Sequence, residues 1–297
     1  MEELVQLERK IQSLYDDDLA PLASRFEFEL PTSARDATGA PNVLFLGNHS
    51  SGKSSFINYL IQSEVQKTGL APIDDGFTII TYGERQDEFD GQTVVTHPDM
   101  PYNKLQQFGP EFLSRLRLKT HPNSLLKNIT LIDSPGMIDA ADGTGTRRSR
   151  GYDFTASVRW FAENADLILF FFDPDKPGTT GETLSVFTKA LSHLEYKLLI
   201  IMNKVDLFSN LRDFARTYGT LCWNLSRTLQ SKDMPHIYNT YLPNLAIERT
   251  HGSVISMQDF DTSRGEVVTE IQRSPTRRTD NLVSDLNRQA RTERGGG

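Results

Sequence analysis

The sequence predicts a doubly wound α/β fold with a mostly parallel sheet. Three observations carry that reading. Apolar runs that read as strands alternate with amphipathic stretches that read as helices. Three of the runs, Ile129–Asp133, Ala165–Phe172 and Lys197–Met202, are almost continuously apolar, as strands are when both faces of a sheet are covered. Three short polar motifs each stand at the carboxyl end of an apolar strand, where open α/β sheets bind their ligands.

Taken in order, Leu4, Leu7, Ile11, Leu14 and Leu19 have helical spacing, and Ala34 to Pro41 is a small, polar linker. A short strand at Asn42 to Leu46 ends at Gly47 and is followed by a helix at Ser54–Gln62. Another strand is expected at Phe77–Tyr82, ahead of the three apolar runs. Helices are expected at Pro110–Leu118, Tyr152–Glu163, Gly181–His193 and Leu211–Leu229. Ser253 to Pro275 is polar and specifies no clear element, whereas Leu282, Val283, Leu286 and Ala290 mark a last amphipathic helix. The expected division is an N-terminal helical segment over 1–33 and a nucleotide domain over 34–252. A C-terminal segment over 253–294 is expected to pack its helix with the N-terminal one, and 295–297 is a glycine tail or cloning scar.

Composition narrows the class. With 37% hydrophobic and 24% charged residues the chain reads as soluble and globular. A formal net charge of −7 argues against a general nucleic-acid binder. The single cysteine, Cys222, cannot form an intramolecular disulfide and suits a reducing compartment. The N-terminus lacks the basic and apolar regions of a signal peptide, and the longest apolar run, Leu167 to Phe172, is too short to span a bilayer.

The chemistry lies in the three motifs. Gly47-Asn48-His49-Ser50-Ser51-Gly52-Lys53-Ser54 fits the phosphate-binding pattern G-x-x-x-x-G-K-[ST]. Backbone N–H groups of such a loop cradle phosphates, Lys53 reaches the β and γ phosphates, and the Ser54 hydroxyl binds Mg²⁺. Ser55, next on the helix, belongs to the same candidate site, and the helix N-terminus adds its positive dipole. Asp133-Ser134-Pro135-Gly136 closes a strand. In isolation it is a plain turn, but downstream of a P-loop Asp133 can hold Mg²⁺ and Gly136 can bring its N–H near a γ-phosphate. In Asn203-Lys204-Val205-Asp206, Asp206 can accept two hydrogen bonds from a guanine edge and Lys204 can cover the ring. The basic run Arg147, Arg148 and Arg150 reads first as a solvated patch. The chain has no Cys/His metal cluster and no Gly-x-Ser-x-Gly elbow.

These residues resemble the EH domain-containing proteins of the dynamin superfamily. The likeness runs from Ile11 to Phe28 and through the P-loop helix to Asn58. It continues in Asp133 to Gly136, Ser149-Arg150-Gly151-Tyr152-Asp153-Phe154 and Trp160-Phe161-Ala162-Glu163, then Asn203 to Asp206, Tyr218-Gly219 and Trp223. The resemblance implies a P-loop NTPase with a dynamin-type G domain, Mg²⁺ as cofactor, and a homodimer with Trp223 at its interface. It also implies membrane remodelling through regions beyond this chain, and a cytoplasmic location, peripheral on intracellular or plasma membranes. The family uses ATP, whereas the Asn-Lys-x-Asp motif as written favours GTP, so GTP is expected with ATP as the alternative. Where the family has switch I threonines this chain has Pro72-Ile73-Asp74-Asp75; Gln106-Gln107-Phe108 replaces its Asn-Pro-Phe loop, and Tyr241-Leu242-Pro243 stands where a tryptophan is expected. Met137 cannot orient a water and the switch I threonine role is unfilled at Ile73 and Asp74, so Ser50, Lys53 and His49 are the candidate catalytic groups and slow hydrolysis is expected. A scaffold that binds nucleotide and barely hydrolyses it is the other reading.

Overall fold

A computed structural model describes residues 40–67, 76–98, 100–137, 150–175, 181–229, 234–245 and 257–281, with five isolated positions before residue 22. The N-terminal helix, its expected pairing with the Leu282–Ala290 helix, the Pro72–Asp75 segment, and Arg147 and Arg148 lie outside the described residues.

Among the described residues, one sheet of eight strands organises the fold, in the order β3-β4-β2-β5-β1-β6-β7-β8. The strands are β1 (Asn42–Gly47), β2 (Thr78–Tyr82), β3 (Glu88–Asp90), β4 (Arg117–His121), β5 (Thr130–Asp133), β6 (Leu167–Phe172), β7 (Leu198–Met202) and β8 (Ile237–Asn239). β5, β1, β6, β7 and β8 run parallel, with Leu44 opposite Ile132 on one side and Ile168 on the other. The β2–β5 and β3–β4 pairs are antiparallel, so the sheet is mixed at one end.

The helices are α1 (Lys53–Ile61), α2 (Gly91–Thr96), α3 (Pro110–Arg115), α4 (Phe154–Glu163), α5 (Gly181–Ser185), α6 (Leu211–Ser226) and α7 (Met257–Gln272). Alternation along the central strands explains how both faces are covered. Leu44, Leu46, Ile168, Phe170 and Phe172 join a core with Phe161 of α4. Val43, Phe45, Leu167, Leu169 and Phe171 join another with Phe56 and Ile57 of α1 and Val267 and Ile271 of α7. Aromatic rings fill both layers: Phe77 stacks on Phe161 at 4.5 Å, and Phe56 meets Phe171 edge-on at 5.3 Å. Side-chain caps fix where α4 and α6 begin, with Asp153 accepting from Ala156 N and Asn210 from Asp213 N.

Two expectations need revision. The helix expected over Pro110–Leu118 stops at Arg115: Leu116 is extended, and Arg117–His121 is a strand whose Leu118 pairs with Ile79. The stretch from Ser253 to Pro275, for which no element was expected, holds α7, whose Phe260, Val267 and Ile271 are buried. No described helix is long and apolar enough to cross a membrane.

Candidate nucleotide site

The site sits where β1, β5, β6 and β7, neighbours in the sheet, end on one edge. β1 runs into the P-loop, and α1 begins at Lys53. Gly47 (φ 148°), Ser50 (φ 63°) and Gly52 (φ 94°) all hold positive φ in the motif. A Cβ on Gly52 would run into Asn203 Nδ2, so only glycine fits between the two motifs. The loop is also tied to the Asp133–Gly136 turn by its backbone. Met137 N donates to Gly47 O and His49 N donates to Met137 O, both at 3.1 Å. At Gly136 a Cβ would lie 2.6 Å from His49 Cα, so the tight approach that glycine permits is to the loop itself.

Lys53 is buried, and its Nζ donates to Gly47 O at 3.0 Å and Asn48 O at 3.1 Å. Burial pushes its pKa from 10.5 down to about 8, Asp133 pulls the other way, and the Arg150 charge adds to the lowering. Ser54 Oγ donates to Asp133 Oδ2 at 2.7 Å. A hydroxyl and a carboxylate in contact are hard oxygen donors of the kind Mg²⁺ takes, with phosphates and water completing its shell. No group of three or more His, Cys, Asp or Glu that could hold a metal occurs among the described residues. Asn48 Nδ2, Ser51 Oγ and Ser134 Oγ are buried without a hydrogen-bond partner, so the two loops retain polar capacity that the fold does not use.

On the base side, Asn203 Nδ2 donates to Ser51 O at 3.0 Å and Asn203 Oδ1 accepts from Thr240 Oγ1 at 3.1 Å. Asn203 thus clamps the P-loop to the residues after β8. Lys204, left-handed at φ 58°, is fixed by an ion pair with Asp173 Oδ2 at 2.8 Å. Asp206 lies half-buried on the turn Val205–Leu207.

The structure therefore brings together Asn48, His49, Ser50, Ser51, Gly52, Lys53, Ser54, Asp133, Gly136 and Asn203. His49 Nδ1 and Ser50 Oγ are hydrogen-bonded at 2.9 Å, and Ser55 is half-buried on α1. Trp223 stands apart on α6 and is 67% exposed, so it is not part of the core.

Several residues at the site were not assigned to it from the sequence. Asp173 anchors Lys204, and Thr240 anchors Asn203. Arg150, expected first as part of a solvated run, is buried: it pairs with Glu182 at 3.1 Å and donates to Gly136 O at 2.8 Å. Thr183, beside Glu182, donates to Asn48 Oδ1 at 2.9 Å, so α5 touches both loops. Asp173 alone was within reach of sequence reasoning, because it directly follows β6 at the same edge.

Comparison with known proteins bears on the family and the fold. The family model "Dynamin family" matches residues 43–205. Human EH domain-containing protein 2 is 35% identical over 237 residues, covering 77% of this chain and 42% of that protein. EH domain-containing protein 1 of Arabidopsis thaliana is 29% identical over 288 residues, covering 95% of this chain and 52% of that one. The chain thus spans about half the length of these relatives or less. Among solved structures, an oligomerised bacterial dynamin pair described as sensing and tethering membranes superposes with a TM-score of 0.52 at 14% identity. That match covers 95% of this chain and 43% of the other and supports the fold.

Proposed function

This chain belongs to the dynamin family, and from that premise we propose that it binds a magnesium–nucleoside triphosphate, GTP in preference to ATP, and hydrolyses it slowly. The observation behind this reading is the joining of three motifs distant in sequence: Ser54 to Asp133, Gly52 against Asn203, and Asn203 to Ser51. Lys53 and the loop N–H groups bind the phosphates, with Ser50 and His49 beside them. Ser54 and Asp133 hold the cation, and Asp206 selects the base by accepting from guanine. Ser54 and Asp133 would hold the magnesium ion, which would supply positive charge against the charge developing on the phosphates.

Slow turnover follows from what stands after Gly136. Met137 is buried, and its backbone is spent on the P-loop, so this position does not orient a water. In the longer protein we propose that the domain dimerises and that turnover is coupled to membrane remodelling, with faster hydrolysis on assembly.

Calorimetric titration tests the site and the base together. Lys53→Ala and Ser54→Asn are each expected to weaken triphosphate binding by about 1.5–3 kcal/mol, as for other charge-assisted contacts. Variants that bind as tightly as wild type would place the site elsewhere. ATP binding tenfold tighter than GTP, about 1.4 kcal/mol, would replace GTP by ATP. Single-turnover hydrolysis on the same preparation is expected below about 1 s⁻¹, the lower end of rates usual for kinases. A faster rate would contradict the account of Met137.

A further inference from the structure

We propose that Gln66 is a positioning residue for the magnesium site, holding the Asp133 carboxylate in place, and that Lys119 fixes the direction of the Gln66 amide. The inference rests on the magnesium–triphosphate reading of the site and adds to it a residue outside the three motifs.

Gln66 is buried, 3% exposed, just beyond the end of α1. Its Nε2 donates to Asp133 Oδ2 at 2.8 Å, the same oxygen that accepts from Ser54 Oγ. Its Oε1 accepts from Lys119 Nζ, also at 2.8 Å. The two ends of the amide are thereby assigned by chemistry. An ammonium can only donate and must face the oxygen; an ionised carboxylate can only accept and must face the nitrogen. A chain of donors therefore runs from Lys119 on β4 through Gln66 to Asp133 at the end of β5.

The backbone carrying Gln66 is held as firmly as its side chain. Asn58 Oδ1 accepts from Val65 N at 3.1 Å and Gln66 N at 2.8 Å, and Asn58 Nδ2 donates to Gln66 O at 2.8 Å. Lys119 Nζ adds a bond to Val65 O at 2.9 Å. An apolar side chain of the same size would fill this space without the cost of burying an amide. What the amide supplies, and a leucine would not, is a second donor on Oδ2. With Ser54 and Gln66 both bonded to that atom, the rotation of the carboxylate is set by two elements. Outer partners of this kind orient the ligands of a metal, and their loss weakens metal affinity roughly ten- to a hundredfold.

The test titrates Mg²⁺ against triphosphate binding in wild type, Gln66→Leu, Lys119→Met and Lys119→Arg, with parallel titrations in EDTA and thermal melts. Gln66→Leu is expected to raise the Mg²⁺ concentration for half-maximal tight binding roughly ten- to a hundredfold. Its affinity in EDTA should stay near the wild-type value. Lys119→Met should shift the Mg²⁺ requirement the same way by less, and Lys119→Arg, which keeps a donor, should restore it. Should Gln66→Leu fail to fold, the two Lys119 variants decide. An unchanged Mg²⁺ requirement in folded variants overturns the proposal, and so does an equal loss of affinity in EDTA, which would make Gln66 merely structural. Wild-type binding without any Mg²⁺ dependence would instead overturn the reading of the site, and this inference with it.

Discussion

Lys53 is a buried ammonium between two carbonyls that do not depend on it. Gly47 O also accepts from Met137 N, and Asn48 O from Ser51 N. Its pKa of about 8 in the fold lies below the ordinary 10.5, so between those pH values the unfolded chain binds more protons. The contribution of Lys53 to stability therefore rises with pH through that window, and below it the whole penalty is present. Lys53→Met is expected to stabilise the nucleotide-free protein near pH 7, by up to about 3 kcal/mol for a shift of this size. It should also flatten the pH dependence between about 8 and 10 that the shift implies. Urea unfolding at two pH values checks both effects. A variant less stable than wild type, or equally sensitive to pH, would mean that the ammonium is not penalised. The residues of the three motifs were legible in the sequence because each motif is contiguous and its spacing is dictated by phosphate or cation geometry. Gln66, Thr240 and Glu182 were not legible. Each is an ordinary polar residue, and its partner lies far along the chain.

At the scale of elements, the central strands were readable because burial on both faces demands uninterrupted apolar sequence, as in Leu167–Phe172. β3 and β8 are three-residue strands at the sheet's outer positions, too short to show a pattern. β4, Arg117–His121, carries Lys119 and Thr120 and was absorbed into the preceding helix, because Leu116 and Leu118 follow Phe112 and Leu113 closely enough to extend its apolar face. α7 was missed for a different reason. Its buried residues, Phe260, Val267 and Ile271, are spread thinly over sixteen residues among acids, arginine and threonines. Yet Val267 and Ile271 are fully buried in the same core as Val43, Phe45 and Phe171 of the central strands. If α7 covers the sheet as an integral layer, Ile271→Ala should cost about 2–5 kcal/mol, the usual range for such a truncation in a core. A loss under about 1 kcal/mol in urea unfolding, typical of a surface site, would mean that the helix is an appendage. Arg264 helps to seat it, lying over the rings of Tyr59 and Tyr241 at 5.6 and 5.0 Å.

For the molecule as a whole, Trp223 is the feature the fold leaves unexplained. A tryptophan 67% exposed on α6 offers a partner a large aromatic contact area. Light scattering is expected to find a dimer for the wild type and a folded monomer for Trp223→Glu; a dimer that survives the substitution would move the interface elsewhere. The strand order has a consequence of another kind, for how the chain comes off the ribosome. β1 is made before the other seven strands of the sheet, but its partners on either side are residues 130–133 and 167–171, far along the chain from it. Parallel pairing over such separations is slow, because the intervening chain must be ordered before any contact rewards it. Until Phe171 has emerged, Val43 to Leu46 form a nascent strand with one edge open, a surface prone to wrong pairing. The P-loop that crowns this strand can therefore be finished only after Phe171 has been synthesised, however early its own residues are read.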